Sequence, residues 1–410
     1  MSEIAVAARP ETVGLSGERL GRIGAWMRDH VESGRLPWAM TVITRHGETA
    51  YREWTGMADV AAGRAFEDDA ILRIYSMSKP ITAVAVLMLY EEGRLQLDDP
   101  IGRFLPEFAQ MEVVVGDHGD RLVTEPAERP VTVRHLLTHT SGLTCGFSGG
   151  GTLERRYGEQ AVDFGPQDGT LEQVCARLAA LPLAHQPGAR WTYGVSIDVL
   201  GRLVEVVSGH SFDRFLAERI FAPLAMKDTF FELPADRMDR FLPCYDKGPG
   251  ESLVLCEGTH DSPHAAGVTC FSGGGGLLST ARDYQRFAEM LRGGGALGEA
   301  RILGPRTVAF MASNHMPGGV DLAAMGQPVF SETSYEGIGF GLGVSVVLDP
   351  ARAQVLTSKG EYAWGGMAST AFWIDPEQDM SVLFLTQLIP SSAYPIRRQL
   401  RVLASQAIVA

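Results

Sequence analysis

Apolar residues along this chain recur at two spacings, and the changes between them mark out its elements. Between residues 16 and 34, Leu20, Ile23, Trp26 and Met27 fall at helical spacing, with Gly34 as the stop. WAMTVITRHGETAYREWTG (38–56) then reads as two strands turning at His46-Gly47, a hairpin. IYSMSKPITAVAVLMLYEEG (74–93) is a mostly apolar helix. Helical spacing persists through VTVRHLLTHTSG (131–142), a short helix with Thr132 as its cap. TLEQVCARLAALPL (170–183) opens on a Thr170–Gln173 capping-box pattern and puts Leu171, Val174, Cys175 and Leu178 on one face. SIDVLGRLVEVVSGHSFDRFLAERIF (196–221) reads as two helices broken at Gly209, the second capped by Ser211.

Past residue 265 the alternation of strands returns, interrupted by a helix at 280–292 and closed by one at 395–409. GFGLGVSVVLD (339–349), ASTAFWID (368–375) and MSVLFLTQ (380–387) are strand-like. The turn Pro376-Glu377-Gln378-Asp379 is too short for a parallel crossover, so its strands pair antiparallel. The pattern predicts an α+β fold: an antiparallel sheet flanked by helices and built from both chain ends, 1–85 and 265–410. A mainly helical domain, 86–264, is inserted between them. Glycine stretches at 146–151 and 273–276 read as loops, and no internal repeat is visible.

Composition narrows the function classes. A chain of 410 residues exceeds one compact core. The net charge of -13 argues against nucleic acid or an anionic membrane as a partner. No uncharged apolar run reaches the roughly 18 residues a membrane span needs. The stretch MSEIAVAARPETVGLSGERL lacks a basic region followed by an apolar core, so no secretory signal is expected. Five scattered cysteines (145, 175, 244, 256, 270) show no CxxC pair and read as free thiols. Together these predict a cytoplasmic protein; its oligomeric state is left open.

One position stands out against this background. Of 36 basic residues only four are lysines, at 79, 227, 247 and 359. Arginine keeps its proton in proteins, whereas a desolvated lysine gives it up readily. Lys79 follows Ser76 by three residues at the mouth of the apolar helix, which puts both on one face. A serine hydroxyl needs an adjacent base to become a nucleophile. Burial lowers a lysine pKa, and a helix N-terminus disfavours the ammonium further. By itself S-x-x-K is weak, because a capping serine and a surface lysine produce the same tetrad.

The chain as a whole resembles the serine beta-lactamase and penicillin-binding-protein superfamily, in its class C-like branch, which includes the carboxylesterases called family VIII. The resemblance runs from about residue 20 to 390. It is carried by SMSKPITAVAVLMLYEEGRLQLDDPIGRFLPEF (76–108), PVTVRHLLTHTSGL (130–143), GARWTYGVSIDVLGRLVEVVSG (188–209), GGGGLLSTARDYQRFAEML (273–291) and WGGMASTAFWIDP (364–376). It implies an active site in the cleft between the two domains. There Ser76 is the acyl-forming nucleophile and Lys79 its partner, with Tyr193 sharing the proton traffic. Because lysine and tyrosine would titrate together, neither is singled out as the base. The third motif falls on Trp364-Gly365-Gly366, and the N–H of Met367 with that of Ser76 would form an oxyanion hole. Lys359, five residues before Trp364, is a second candidate for the start of that motif. No cofactor or metal is implied.

The same resemblance exposes departures. None of the ten tyrosines begins Y-x-N, and S-D-N and K-T-G are absent. The groups that bind a beta-lactam's amide and carboxylate are therefore missing. Trp364, where a cation is usual, favours a neutral apolar group. The expectation is hydrolysis of small carboxylic esters through an acyl-enzyme. Acyl transfer or slow beta-lactam turnover on the same serine, and a non-catalytic binding protein, are the alternatives.

Three further patterns invite other readings. Gly146-Phe147-Ser148-Gly149-Gly150 is a literal G-x-S-x-G, but it follows a helix and precedes glycines rather than sitting between strand and helix. Ser148 is expected in a loop at the rim of the cleft. His135 and His139 stand at i, i+4 without a third ligand, so one should pack and one hydrogen-bond. His260, Asp261 and His264 are expected to be structural or rim residues.

Overall fold

The computed structural model describes residues 6–119, 121–166, 168–326 and 335–410; the first five residues of the stretch read for a leader lie outside them. Its largest sheet draws on both chain ends. The N-terminal part gives β1 (Trp38–Arg45), β2 (Glu48–Asp59) and β3 (Arg64–Ala65). The C-terminal part gives β4 (Ile338–Phe340), β5 (Ser345–Val347), β6 (Tyr362–Gly365), β7 (Ala371–Asp375) and β8 (Met380–Leu385). The strand order is β4-β5-β6-β7-β8-β1-β2-β3, and every neighbouring pair is antiparallel. The chain ends meet where β1 pairs with β8, Met40 opposite Leu385 and Val42 opposite Leu383. His46 (φ 54°) and Gly47 (φ 80°) both adopt the left-handed conformation that a tight hairpin turn demands.

Strand β1 is buried on both faces, and its period of two sorts the cores. Trp38, Met40 and Val42 enter the larger core, while Ala39 and Ile43 enter a second one. That second core is completed by Leu20, Ile23 and Met27 of α1 (Gly17–Glu32) and by Ile396 and Leu400 of the closing helix (Ile396–Ser405). On the other face lies α2 (Ser78–Glu91), buried at every residue from Ser78 to Leu89. A helix apolar all round must be covered all round. It packs against the helix α3 (Ser196–Ser208), so it joins the sheet to the helical region.

Local signals did most of the work in the helical region. Thr132 and Thr170 each close a capping box, the first with His135 as the reciprocal partner, the second with Gln173. Gly209, at φ 77°, ends α3. Ser211 occupies the cap position of the next helix, but its side chain makes no capping hydrogen bond. Two hairpins, Glu112–Asp117 with Leu122–Pro126 and Cys244–Lys247 with Leu253–Glu257, interrupt the helices. Segment 339–349, expected as one strand, is instead parts of β4 and β5 with a bend between them. Gly343 there has φ 83°, and a side chain at Gly341 would meet the Met311 carbonyl at 2.1 Å. Strand β7 starts at Ala371 rather than 368, after Ser369 at φ 66°. Among the described residues no helix is long and apolar enough to cross a membrane.

Candidate active site

A single tight turn, Tyr75–Met77, leads into α2 and carries Ser76. Tyr75 takes φ 43°, a left-handed conformation that is costly for a residue with a side chain. Lys79 lies one turn on, 1% exposed, its Nζ 3.0 Å from Ser76 Oγ and 2.6 Å from the Gly274 carbonyl. Tyr193 arrives just before α3 and donates its phenolic hydrogen to Ser76 Oγ at 2.7 Å. The loop 139–144 holds Tyr193 from both sides: Thr192 N–H donates to the His139 carbonyl and Val195 N–H to the Thr144 carbonyl. A side chain at Gly194 would meet the Leu143 carbonyl at 2.5 Å, so this close approach needs glycine. Two separated motifs, Ser76 with Lys79 and Tyr193, thus converge on one hydroxyl oxygen.

Burial sets the electrostatics. It lowers the Lys79 pKa to about 7, against the opposing pull of Asp198 and Cys145. Nζ also sits 3.8 Å from the Phe164 ring centre and 4.7 Å from that of Tyr193, with little room for water. The Tyr193 phenol is pushed up by burial, with smaller opposing contributions from Ser76 and the Trp364 indole. An amine with a pKa near neutrality beside a hydroxyl can take its proton, whereas a phenol that resists ionisation keeps its own and donates a hydrogen bond. Asp198, in the first turn of α3, accepts hydrogen bonds from the Ser272 hydroxyl and from Gly274 N–H. Burial raises its pKa and the Lys79 charge lowers it. His139 is fully buried, its ring 4.9 Å from that of Tyr193, and burial together with Lys79 keeps it neutral.

Ser76 and Tyr193 open onto a cleft that Trp364, Gly365, Gly366 and Met367 also line. Phe147, Phe164, Tyr335 and Arg397 complete much of its wall. The Trp364 ring packs 5.6 Å from Tyr193 and edge-on to Phe340 at 5.3 Å. Each glycine answers to a specific neighbour. A side chain at Gly366 would lie 2.5 Å from the Ile74 carbonyl, and one at Gly365 would lie 2.7 Å from the Arg397 guanidinium. The C-terminal sheet can therefore close onto the turn bearing Ser76.

The rival candidates fall elsewhere. Lys359 is exposed on a turn outside the cleft wall. Ser148 lies in a loop, where its hydroxyl meets the Cys145 thiol and donates to the Tyr193 carbonyl at 3.4 Å. His135 accepts the Thr132 N–H through Nδ1, and His139 packs among aromatic rings. His264 is buried against the Phe231 carbonyl, while His260 and Asp261 are exposed. Among the described residues no cluster of histidine, cysteine and carboxylate side chains could hold a metal. Sequence reasoning missed Asp198, Phe164 and Arg397. Only Asp198 left a signal, a carboxylate on the apolar face of a helix.

The Beta-lactamase family profile matches residues 23–406, and the chain belongs to that family. It is 33% identical over 382 residues to Esterase EstB of Burkholderia gladioli, covering 89% of each chain. Among solved structures it is similar to EstCE1, described as a hydrolase with promiscuous acyltransferase activity. The TM-score is 0.79 at 26% identity, over 95% of this chain and 99% of that one. Simvastatin synthase (LovD) of Aspergillus terreus is similar at a TM-score of 0.80 and 26% identity, over 96% and 98% of the two chains.

Proposed function

We propose that this member of the Beta-lactamase family is a serine carboxylesterase that forms its acyl-enzyme on Ser76. Within the family it stands with the esterases called family VIII. The observation that carries the reading is the Ser76 oxygen held at once by an amine at 3.0 Å and a phenol at 2.7 Å, both buried.

Lys79, with a pKa of about 7, is half neutral near pH 7 and takes the Ser76 proton as the oxygen attacks the ester carbonyl. Tyr193, whose phenol resists ionisation, stays protonated and faces the same oxygen. The Lys79–Tyr193 pair then returns a proton to the departing alkoxide. The negative oxygen of the tetrahedral intermediate rests on the N–H groups of Ser76 and Met367. Water enters next, losing its proton to the same pair, and releases the acid. Trp364 and Phe164 favour a small neutral ester with an apolar acyl or alcohol part. Five free thiols fit a reducing, cytoplasmic location.

A p-nitrophenyl alkylphosphonate tests this. It should leave one covalent adduct, found by mass spectrometry on the peptide containing Ser76, and abolish turnover of p-nitrophenyl butyrate. An adduct on another serine, or none on folded protein, refutes the assignment. A second reading, acyl transfer to an alcohol, is favoured by the apolar cleft and by the activity named for EstCE1. It predicts that added alcohols divert the acyl group faster than water does.

A further inference from the structure

Arg397 belongs to the closing helix, remote in sequence from every motif of the site, yet its guanidinium touches the strand that faces Ser76. Nη2 donates to the Gly366 carbonyl at 3.0 Å and, more weakly, to the Thr370 carbonyl at 3.4 Å. Gly366 N–H in turn donates to the Thr370 carbonyl at 2.9 Å. The guanidinium therefore clamps the turn from Gly366 to Thr370 at both ends. It can lie there because Gly365 has no side chain, since a Cβ would sit 2.7 Å from Nη2.

The Gly366 carbonyl and the Met367 N–H belong to one peptide unit. A trans peptide is planar, with its C=O and N–H pointing in opposite directions. Pinning the oxygen on the guanidinium fixes where the N–H points. A cationic donor on the oxygen also draws electron density towards it and leaves the N–H a stronger donor, as charge-assisted bonds are stronger than neutral ones. We propose that Arg397 is a positioning residue that orients and polarises the Gly366–Met367 peptide, strengthening the Met367 N–H as a donor to the oxyanion. This rests on the reading of Ser76 and Met367 given above. It predicts an effect confined to the tetrahedral state, because the ground-state carbonyl carries little charge for that donor to meet.

Arg397→Gln keeps a neutral donor, and Arg397→Lys keeps the charge without the fork. Four quantities test them: kcat and KM for p-nitrophenyl butyrate, the rate of phosphonate inactivation, and ester affinity in the Ser76→Ala background. Arg397→Gln should lower kcat and the inactivation rate together by about tenfold, a fraction of what losing an oxyanion donor costs. Ester affinity should stay within about twofold, and Arg397→Lys should recover part of the loss. Active sites are counted by phosphonate titration, so a misfolded fraction is not mistaken for a slow one. Two results overturn the proposal: rates unchanged in both variants, or a loss confined to esters that carry a carboxylate, which would make Arg397 an anion-binding residue. If the wild-type protein fails to label at Ser76, the reading of the site falls; if it labels normally and only these variants behave as wild type, this inference alone falls.

Discussion

Two serines of this protein hydrogen-bond to the same tyrosine, and they differ in what else each one meets. Ser76 Oγ accepts the Tyr193 phenol at 2.7 Å, while the Ser148 hydroxyl donates to the Tyr193 main-chain carbonyl at 3.4 Å. Ser76 has as its other neighbour a lysine whose pKa is lowered to about 7. Ser148 has the Cys145 thiol, whose pKa burial raises to about 12. A thiol that holds its proton so tightly takes none from a neighbour. Ser148 nevertheless sits in the better-known esterase motif. The motif's letters are present, but the strained elbow between strand and helix is replaced by a loop between two helices.

The sharpest way to break this comparison is to remove each hydroxyl. Ser76→Ala should lose about 10⁴-fold or more in kcat/KM for p-nitrophenyl butyrate, because the covalent route closes. Ser148→Ala should stay within about twofold. The reverse result would make the loop serine the reacting group and leave Lys79 and Tyr193 without a task.

Next in size are the proposed proton-transfer partners. Lys79→Met and Tyr193→Phe should each reduce kcat by about 10²- to 10⁴-fold, the range of general acid–base catalysis. Lys79→Arg should be no better than Lys79→Met, because a guanidinium cannot take a proton near pH 7. A Lys79→Arg variant with near wild-type kcat would show that only a positive charge is needed. A smaller effect is expected at Trp364, which lines the cleft beside Tyr193. Trp364→His should cut turnover of neutral butyrate esters by about tenfold, through lost apolar contact. It should also narrow the gap to nitrocefin, and an unchanged ratio of the two rates would exclude Trp364 from specificity.

Legibility in the sequence followed distance along the chain. Ser76 and Lys79 are three residues apart on one turn, so their contact is a local consequence of helix geometry. The capping boxes at Thr132 and Thr170, the hairpin at His46-Gly47 and the stop at Gly209 are equally local. Short turns and alternation implied antiparallel pairing within each chain end, while placing both ends in one sheet, where Met40 meets Leu385, was the simplest architecture rather than a local consequence. Tyr193 carried no signal of its own and came from the resemblance alone. The two hairpins of the helical region were missed because their strands are largely exposed and short of apolar alternation. Phe164 and Arg397 reach the site from a loop and a terminal helix, and no spacing rule links them to Ser76.

Asp198 offers the smallest and most discriminating test of why Lys79, and not Ser148's neighbour, can serve as a base. Burial lowers the Lys79 pKa, and the Asp198 carboxylate raises it again. In the proposed mechanism the neutral amine is the active form, so kcat/KM should rise with pH through about 7 in the wild-type protein. Asp198→Asn removes the negative charge but keeps a side-chain oxygen for the bonds from Ser272 and Gly274. The ammonium then loses stabilisation, its pKa falls, and the acid limb of the profile moves to lower pH. Relative to wild type, the variant should gain about two- to fivefold in kcat/KM below neutrality and match it on the alkaline plateau. Burial also favours the protonated form of Asp198 itself, while the charge on Lys79 opposes that. If Asp198 were already neutral below pH 7, its replacement would leave the limb where it is. A pH profile of kcat/KM with p-nitrophenyl butyrate separates the two: a limb displaced downward means the base is tuned by the buried Asp198 charge, and an unmoved one means burial tunes it alone.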